Sequence, residues 1–381
     1  MICHSCSAFV NPERGSVLSR FVASDCQPQH CILSVMTCDA CGLVQKPNTK
    51  EWIRACEEIY SNYRIYYQGA GSEQKARGVM RGRFAPRSEL LTEFLIDAGL
   101  LDISGSALDI GCGNGAFLRA FHKALPDWKI AGAEINETFR DEILAIAPGA
   151  EFLDSSELEE KGSLFELVTL IHCLEHIPSP IAYLNTVKRH LSPESALLIQ
   201  VPDAEINPFD LVIADHASHF SKASLRHVVE EAGLEVVAFG NLVLAKEITA
   251  LVRVSGRPVT KTSPLPYPDF ASRHLAWIEA LLAQANALAE QGPIGIFGSS
   301  IAGTWVGSQI PRLAFFVDED QDRVGGSNLG VPIVGLSDVT KNVKVLLALE
   351  PTLAQSLAPR LIEAGLNIVL PAQEQVSTFY R

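Results

Sequence analysis

Between about residues 105 and 255, short apolar runs alternate with segments whose apolar residues recur at helical spacing. The runs typical of strands read ALDIG, KIAGAE, LFELVTLI, SALLIQV and LEVVAF. A helical pattern, SELLTEFLIDAGLL, precedes the first of them. Strands that alternate with helices are typical of a parallel sheet covered by helices. The pattern therefore predicts an α/β fold.

The hydrophobic pattern changes on either side of this block. Prolines and serines are concentrated in SGRPVTKTSPLPYP, which predicts a linker. A long helix is predicted over about 270–291, followed by a second alternating unit through IGIFG, LAFFVD, KVLLAL and NIVLP. We therefore expect an N-terminal module over 1–70, a central α/β domain over 71–262 and a C-terminal α/β domain over 263–381.

Composition and charge exclude several classes of protein. The 381 residues are 47% hydrophobic and 20% charged, which favours packed cores over a disordered or fibrous chain. No stretch approaches the roughly 18 apolar residues of a membrane span, and the N-terminus MICHSCSAFV lacks a secretory pattern. We therefore expect a cytoplasmic protein without a membrane partner. The net charge of −13 repels a phosphate backbone, which argues against nucleic acid as the main partner.

Six of the nine cysteines lie within the first 41 residues. Four of these cysteines form two Cys-x-x-Cys pairs: Cys3 with Cys6, and Cys38 with Cys41. Each such turn directs two thiolates to one point, and two turns complete a tetrahedral shell, so the spacing predicts structural zinc. The alternative is a set of reactive or incidental thiols. Three further residues leave the ligand set partly open: Cys26, His30 and Cys31.

A glycine-rich turn follows the first strand of the central block. The run ALDIGCGNG places Gly111, Gly113 and Gly115 between this strand and the helical pattern AFLRAFHKAL. Glycine lets the backbone turn tightly and approach a ligand because no Cβ is in the way. The next strand ends at Glu134, whose carboxylate suits two ribose hydroxyls. The third strand ends near Asp154, which would lie close to an adenine or instead cap the following helix.

Two histidines and an aspartate mark a loop after the strand SALLIQV. Asp215, His216 and His219 lie in FDLVIADHASHFS, beyond the carboxyl end of that strand, where open α/β sheets bind ligands. A histidine there is suited to take a proton near neutral pH. Either histidine could instead be a satisfied loop or core residue. We interpret His216 as a candidate base, with Asp215 and His219 as further catalytic candidates.

These central motifs together resemble class I S-adenosylmethionine-dependent methyltransferases. DIGCGNG matches their glycine motif and HCLEHIPSP matches the segment after their fourth strand, so the resemblance covers about residues 105–240. It implies a Rossmann-like fold and S-adenosyl-L-methionine as cofactor. It places His172 near the methionine end of the cofactor, whereas His176 is interpreted as a helix-start or packing residue. The implied cofactor residues are Asp109, Gly111, Gly113, Gly115, Glu134, Asp154 and His172.

The order of a cysteine module, a methyltransferase domain and a second α/β domain resembles the sugar C-methyltransferase family. Members bind zinc through two Cys-x-x-Cys pairs, as matched here, and methylate nucleotide-linked keto-sugars. Their base loop reads Tyr-x-Glu-His, whereas this chain has Ile213 and Asp215 at the first and third positions. The resemblance implies that His216 deprotonates the carbon beside a carbonyl. The enolate then attacks the sulfonium methyl group.

The resemblance also implies a nucleotide-sugar as the substrate. The family's tyrosine-rich entry segment resembles YSNYRIYYQGAGS, in which the candidate substrate residues are Tyr63, Tyr66 and Tyr67. One of these tyrosines or His219 would replace the loop tyrosine that this chain lacks. Arg81 and Arg83 could bind the diphosphate, because guanidinium groups bind phosphate oxygens in pairs. A solvated face ahead of a helix is the alternative.

Other functions remain as alternatives. Without the loop tyrosine, a base at His216 could equally deprotonate a hydroxyl or an amine, which gives O- or N-methylation of a sugar or another small molecule. An RNA methyltransferase is less favoured because the chain is acidic, and a non-catalytic protein because the cofactor motifs are intact. The C-terminal turn at Gly298 and Gly303 is Rossmann-like but lacks a dinucleotide fingerprint and a P-loop lysine. We interpret that domain as architectural or substrate-lining.

Overall fold

The chain begins with a small β module. The computed structural model describes residues 1–63, 73, 75–154, 157–158, 162–255, 270–340 and 342–372. The first strands are short: β1 (Ser16–Leu18), β2 (Phe21–Val22), β3 (Pro28–Gln29), β4 (Leu33–Thr37) and β5 (Val44–Gln45). Helix α1 (Lys50–Ser61) follows, and the hydroxyl of Thr49 caps it by accepting a hydrogen bond from the Trp52 N–H at 3.2 Å.

The central part contains most of the secondary structure. An entry hairpin and helix come first: β6 (Lys75–Arg77), β7 (Phe84–Pro86) and α2 (Arg87–Asp97). Alternating elements follow: β8 (Ser106–Ile110), α3 (Ala116–Ala124), β9 (Lys129–Ala133), α4 (Arg140–Leu144), β10 (Glu151–Leu153), β11 (Phe165–Ile171), α5 (Pro180–Val187) and β12 (Leu191–Pro202). The last elements are β13 (Ser218–His219), α6 (Lys222–Glu231), β14 (Leu234–Gly240) and β15 (Glu247–Val254).

Seven of these strands form one sheet in the order β10-β9-β8-β11-β12-β15-β14. Strands β8 to β12 are parallel, and β15 runs antiparallel to both of its neighbours. Leu108, Leu167 and Leu198 in adjacent strands are fully buried, which contributes about 1.5–3 kcal/mol for each side chain. The predicted α/β, Rossmann-like fold is confirmed. The strand order reverses between β8 and β11, and ligands bind at such a point.

The C-terminal part forms a second sheet. Its elements are α7 (Phe270–Gln291), β16 (Ile294–Phe297), α8 (Ile301–Gly307), β17 (Leu313–Val317), β18 (Ser327–Asn328), β19 (Val331–Val334), β20 (Lys344–Leu347), α9 (Pro351–Glu363) and β21 (Asn367–Val369). The strand order is β18-β19-β17-β16-β20-β21, with β18 antiparallel and the others parallel. The long helix predicted over 270–291 is confirmed. The predicted domain boundaries at 70 and 262 lie outside the described residues and stay predictions.

Short 3-10 helices complete the described secondary structure. They span Pro12–Arg14, Glu137–Phe139, Leu174–His176, Lys188–His190, Pro208–Val212 and Leu336–Asp338. None of the described helices is long and apolar enough to cross a membrane.

The segment after β12 joins the three parts of the chain. Strand β13 extends the N-terminal sheet, whose order is β1-β4-β5-β13. The Trp52 indole donates a hydrogen bond to the Ala214 carbonyl at 2.9 Å. From the same segment, the ring of Phe209 packs against Trp277 and Trp305, with ring centres 5.6 and 6.4 Å apart. The loop that carries the candidate base is therefore held by the N-terminal module and the C-terminal domain.

Candidate active site

The two Cys-x-x-Cys turns of the N-terminal module meet. Four Sγ atoms lie within 4.8 Å of one another, those of Cys3, Cys6, Cys38 and Cys41. The Sγ atoms of Cys3 and Cys41 are 3.5 Å apart, and those of Cys6 and Cys38 are 3.6 Å apart. A tetrahedral zinc ion with Zn–S bonds of about 2.3 Å separates its sulfurs by about 3.8 Å. The set therefore fits structural zinc, and among the described residues Cys26, His30 and Cys31 are not part of it.

The glycine-rich turn after β8 has a backbone that favours glycine. Gly111, Gly113 and Gly115 have φ values of 76°, 52° and 76°. A Cβ at Gly111 would lie 3.2 Å from the side chain of Cys173, and one at Gly115 would lie 2.4 Å from Cδ1 of Ile143. The turn is therefore packed closely against the segment that follows β11.

Two of the predicted cofactor carboxylates lie at this turn. Glu134 accepts hydrogen bonds from the Gly113 N–H at 2.9 Å and from the Ile135 N–H at 2.8 Å. Asp109 accepts a hydrogen bond from the Thr169 hydroxyl at 2.6 Å, and burial raises the pKa of Asp109 to about 7. Glu134 is thus at the strand end where a ribose-binding carboxylate was predicted.

Asp154 forms local hydrogen bonds. Its carboxylate accepts a hydrogen bond from the Glu157 N–H at 2.8 Å, and the Glu157 carboxylate accepts one from the Asp154 N–H at 2.9 Å. This reciprocal pair is a capping box, the alternative that the sequence analysis left open. An adenine contact of Asp154 stays a prediction.

His172 lies at the centre of a buried charged group. It follows β11 with a φ of 51°, and its Nδ1 donates to Glu175 at 3.0 Å. Its Nε2 lies 3.2 Å from Glu247, an ion-pair distance without hydrogen-bond geometry, and Glu247 also pairs with Arg87 at 2.8 Å. Burial disfavours the imidazolium, but Glu247 and Glu175 outweigh burial and raise the pKa of His172 to about 9. His172 is therefore charged at neutral pH.

The candidate base is held by a carboxylate that the sequence analysis did not identify. Asp210 accepts hydrogen bonds from Nδ1 of His216 at 2.8 Å and from Nδ1 of His219 at 2.6 Å. Burial opposes ionisation, but the two histidines outweigh it and lower the pKa of Asp210. For His216, burial disfavours the charged form, but Asp210 outweighs it and raises the pKa. Within the described part of the chain, Nε2 of His216 has no hydrogen-bond partner.

His219 has no ring nitrogen left for a substrate. Its side chain is fully buried, and its Nε2 lies 2.7 Å from the ammonium group of Lys46. Burial and the charge of Lys46 lower the pKa of His219 to about 4. His219 is therefore neutral near pH 7 and contacts Asp210 and Lys46 rather than the acceptor.

Asp215 bonds to the N-terminal module rather than to His216. Its carboxylate accepts hydrogen bonds from the Ser24 N–H at 2.9 Å and from the Ser24 hydroxyl at 2.5 Å. The Nδ1 atom of His176 lies 3.0 Å from the Asp215 carbonyl and 3.1 Å from the Tyr60 hydroxyl. The His176 ring lies edge-on to His216, with ring centres 4.8 Å apart. His176, interpreted from sequence as a packing residue, therefore contacts the candidate base.

Of the candidate substrate residues that the structure describes, only Tyr63 lies beside the base loop. The hydroxyl of Tyr63 lies 3.4 Å from that of Ser24, which places Tyr63 beside the base loop. Tyr66 and Tyr67 lie outside the described residues. Arg81 pairs with Asp97 and Glu93, and Arg83 pairs with Glu89 and Glu93; the three carboxylates belong to α2, and all five side chains are 33–55% exposed. These contacts match the solvated-face alternative, and a diphosphate contact of either arginine stays a prediction.

Sequence reasoning missed Asp210, Lys46 and Glu247. Asp210 lies in the same segment as the histidines, six positions before His216, so an acidic residue near a candidate base was the available signal. Lys46 follows a run of apolar residues and Gln45, and its burial could not be read from one sequence.

The turn after β16 is occupied by contacts within its own domain. Asp318 accepts hydrogen bonds from the Ser299 N–H at 3.1 Å and from the Ser299 hydroxyl at 2.6 Å. Gly298 has a φ of 89°, and a Cβ at Gly303 would lie 2.0 Å from the Gly298 carbonyl oxygen. This close approach explains both glycines without a ligand.

Comparisons with known proteins agree with the central fold. Residues 82–238 match the family model described as a methyltransferase domain. The C-methyltransferase NovU of Streptomyces niveus is 24% identical over 216 residues, which cover 54% of this chain and 47% of that protein. The match thus spans about half the length of that relative.

Solved structures of methyltransferases match part of the chain at low sequence identity. The mitomycin 7-O-methyltransferase MmcR is 19% identical, and the match covers 44% of this chain and 53% of that chain with a TM-score of 0.38. A SAM-dependent methyltransferase from Aquifex aeolicus is 20% identical, and the match covers 44% of this chain and 93% of that chain with a TM-score of 0.38. Residues 82–238 thus match a methyltransferase-domain model, and their strands belong to the seven-stranded Rossmann-like sheet.

Proposed function

We propose that the protein is an S-adenosylmethionine-dependent methyltransferase that transfers a methyl group to a carbon of a nucleotide-linked keto-sugar. The observation that carries this proposal is the buried His216–Asp210 pair, joined at 2.8 Å, in the loop that follows β12. Contacts link this pair to the glycine turn, because His176 packs against His216 and Cys173 approaches Gly111. A base next to a methyl-donor site is what C-methylation requires.

The glycine turn fits S-adenosylmethionine. Its three glycines lie after the carboxyl end of β8, with Gly111 exposed and Gly113 and Gly115 buried, and the Glu134 carboxylate lies beside them at the end of β9. Glu134 would hold the ribose hydroxyls, and Gly111 and Gly113 would let the backbone approach the methionine part. When bound, S-adenosylmethionine supplies an activated methyl group, which an enolate carbon takes while the electron pair of the S–CH₃ bond stays on sulfur.

Proton removal is assigned to Nε2 of His216. Its Nδ1–H donates to Asp210, so the lone pair is on Nε2, and the carboxylate stabilises the imidazolium that forms. The electrons of the broken C–H bond move into the adjacent carbonyl to form the enolate. Glu175 adds a second negative charge, since one ligand atom of each of Glu175, His176 and His216 lies within 4.8 Å of the others. The proton then passes from His216 to solvent.

The four cysteines of the N-terminal module would hold a structural zinc ion. All four ligand positions are filled by thiolates, so no position is open for a substrate. Such a site contributes about 10–16 kcal/mol of apparent binding energy in zinc-finger peptides at neutral pH. The module would therefore depend on zinc for its fold.

Methyl transfer to a panel of nucleotide-linked keto-sugars tests the proposal. The purified protein is incubated with ¹³C-methyl-labelled S-adenosylmethionine, and NMR distinguishes a carbon-bound from an oxygen-bound methyl group. His216→Asn should lower the rate about 10²- to 10⁴-fold, as expected for loss of a general base. The matched control is His227→Asn, which removes a half-buried histidine of α6 outside the site.

A second readout isolates the proton transfer. Without S-adenosylmethionine, the wild-type protein in D₂O should exchange the substrate proton beside the carbonyl, and His216→Asn should not. An oxygen-bound methyl without this exchange would favour O-methylation, for which Ile213 in place of the family's tyrosine is the specific observation. Absence of transfer to every keto-sugar, with S-adenosylmethionine binding intact, would contradict the proposed acceptor.

A further inference from the structure

A fully buried lysine contacts the loop that carries the candidate base. Lys46 follows β5 and has no exposed surface, which is unusual for a lysine. Its Nζ lies 2.7 Å from the Ile213 carbonyl, 3.1 Å from the His216 carbonyl and 2.7 Å from Nε2 of His219. An ammonium group has three N–H donors and no acceptor, so each N–H of Lys46 has one acceptor.

These contacts determine which nitrogen of each histidine carries a proton. Because Lys46 can only donate, Nε2 of His219 must accept, and the proton of neutral His219 is on Nδ1. That Nδ1–H donates to one oxygen of Asp210 at 2.6 Å. The other oxygen of Asp210 then accepts from Nδ1–H of His216 at 2.8 Å, which leaves the lone pair of His216 on Nε2.

We propose that Lys46 is a positioning residue for the base: it fixes His219 as the neutral Nδ1–H donor that holds Asp210 against His216, and through the Ile213 and His216 carbonyls it holds the base loop. This proposal rests on the proposed role of His216 as the base. Lys46 itself does not contact the acceptor. Its contribution is to keep Asp210 and the base loop in place, so that Nε2 of His216 is correctly positioned.

The strand pairing keeps Lys46 opposite its partners. Strands β5 and β13 pair antiparallel, with Gln45 opposite Ser218 and Val44 opposite His219. The Lys46 N–H also donates to the Ala217 carbonyl at 3.0 Å, which continues this pairing. Lys46 thus reaches the catalytic loop from the N-terminal module.

The surroundings of Lys46 predict how the relay depends on pH. The titratable groups that face it are two carboxylates, two thiols and two imidazoles: Asp210, Asp215, Cys31, Cys56, His216 and His219. Burial lowers the pKa of Lys46 to about 8, although the two carboxylates act in the opposite direction. Above that pH, Lys46 loses a proton and one of its three acceptors loses a donor. Activity should therefore fall on the alkaline side.

Lys46→Met tests this role because methionine fills a similar volume without a donor. In the wild-type protein the kcat profile should rise as His216 loses its proton and decline again above about pH 8. In Lys46→Met the alkaline decline should disappear, and kcat at pH 7.5 should be about tenfold lower, less than the loss expected without the base. The control is Lys188→Met. It removes a lysine of the central domain whose ammonium group donates a hydrogen bond to the Ala232 carbonyl.

Nitrogen NMR of ¹⁵N-labelled histidines reads the tautomers without any substrate. Wild-type His216 and His219 should both show Nδ1–H, and Lys46→Met should show His219 partly protonated or in the other tautomer. If Lys46→Met does not fold, the double variant Lys46→Leu with His219→Leu removes donor and acceptor together and leaves no unpaired nitrogen. It should also lack the alkaline decline.

The outcomes separate this proposal from the proposed function. If Lys46→Met keeps the wild-type pH profile and tautomers while His216→Asn is inactive, Lys46 has no role in positioning and the base assignment stands. If His216→Asn remains active, the base assignment is wrong. The tautomer spectra would then still show whether Lys46 sets the protonation of the imidazoles.

Discussion

Replacing Asp210 by Asn should change both the rate and the pH dependence of the reaction. The side chain is 1% exposed and accepts from Nδ1 of both His216 and His219. Asn has the same shape but only one acceptor, and its NH₂ group cannot accept. One of the two imidazoles must therefore lose its partner or move its proton to Nε2. At His216, a proton on Nε2 would remove the base.

The magnitude follows from the geometry of the pair. Unit charges about 4 Å apart attract by about 4 kcal/mol at an effective dielectric constant of about 20. In the folded protein Asp210 raises the pKa of His216 against the opposing effect of burial. Without this carboxylate the pKa of His216 should fall. The rate above that pKa should fall about 10²- to 10⁴-fold.

The assay measures kcat from pH 5 to 9 for the wild-type protein and Asp210→Asn. Because His216 acts only when neutral, wild-type activity should rise as the pH passes its raised pKa. In Asp210→Asn this rise should occur at lower pH and reach a much lower plateau. Asp320→Asn is a matched control, since Asp320 is also buried but lies in the C-terminal domain. Circular dichroism establishes that both variants are folded.

One result would refute this reasoning. If Asp210→Asn is folded and its acid limb coincides with that of the wild-type protein, Asp210 does not control the protonation of the base. A lower plateau alone would be insufficient, because a displaced loop also lowers kcat.

Three further results are expected. Gly115→Ala should weaken S-adenosylmethionine binding at least tenfold by calorimetry, because the new Cβ would lie 2.4 Å from Ile143 at a φ of 76°. Cys38→Ser should lower bound zinc, measured by elemental analysis, together with methyl transfer. Burial opposes ionisation of Glu247, but Arg87 outweighs it and the pKa falls to about 2. This depressed pKa adds about 3 kcal/mol to the free energy of unfolding above about pH 4.5, and this contribution should be lost as the pH falls towards 2. Denaturant unfolding should show that the contribution is absent in Glu247→Gln.

Much of the fold could be predicted because its elements differ in period and composition. The apolar strands β8, β9, β11 and β12 are buried on both faces and lie between helical patterns, so they read as continuous runs. The long α7 was predicted by its helical pattern. Strand β13 could not be predicted, since two residues carry no periodicity and their pairing with β5 joins segments far apart in the sequence.

The sequence predicted only those parts of the site whose residues lie within a few positions of one another. The glycine turn and the Cys-x-x-Cys pairs depend on residues within a few positions, and the four sulfurs meet as expected. Asp210 and Lys46 act through contacts with the histidines that span 6 to 173 positions, and neither belongs to a motif. From the sequence, Arg81 and Arg83 were candidates for binding a diphosphate. Their ion pairs with carboxylates of α2 depend on the three-dimensional structure and could not be predicted.

Strand β5 connects the four-cysteine cluster to the loop that carries the candidate base. Gln45 follows the second Cys-x-x-Cys turn and is fully buried, and its Oε1 accepts from the His4 N–H of the first turn at 2.9 Å. Gln45 also pairs with Ser218, which places Lys46 beside His219. A slip of one residue in this pairing would reverse the faces of the strand and remove Lys46 from its acceptors. Loss of the proposed zinc should therefore lower kcat through the position of the base loop, even though a metal held by four thiolates would have no open site for chemistry.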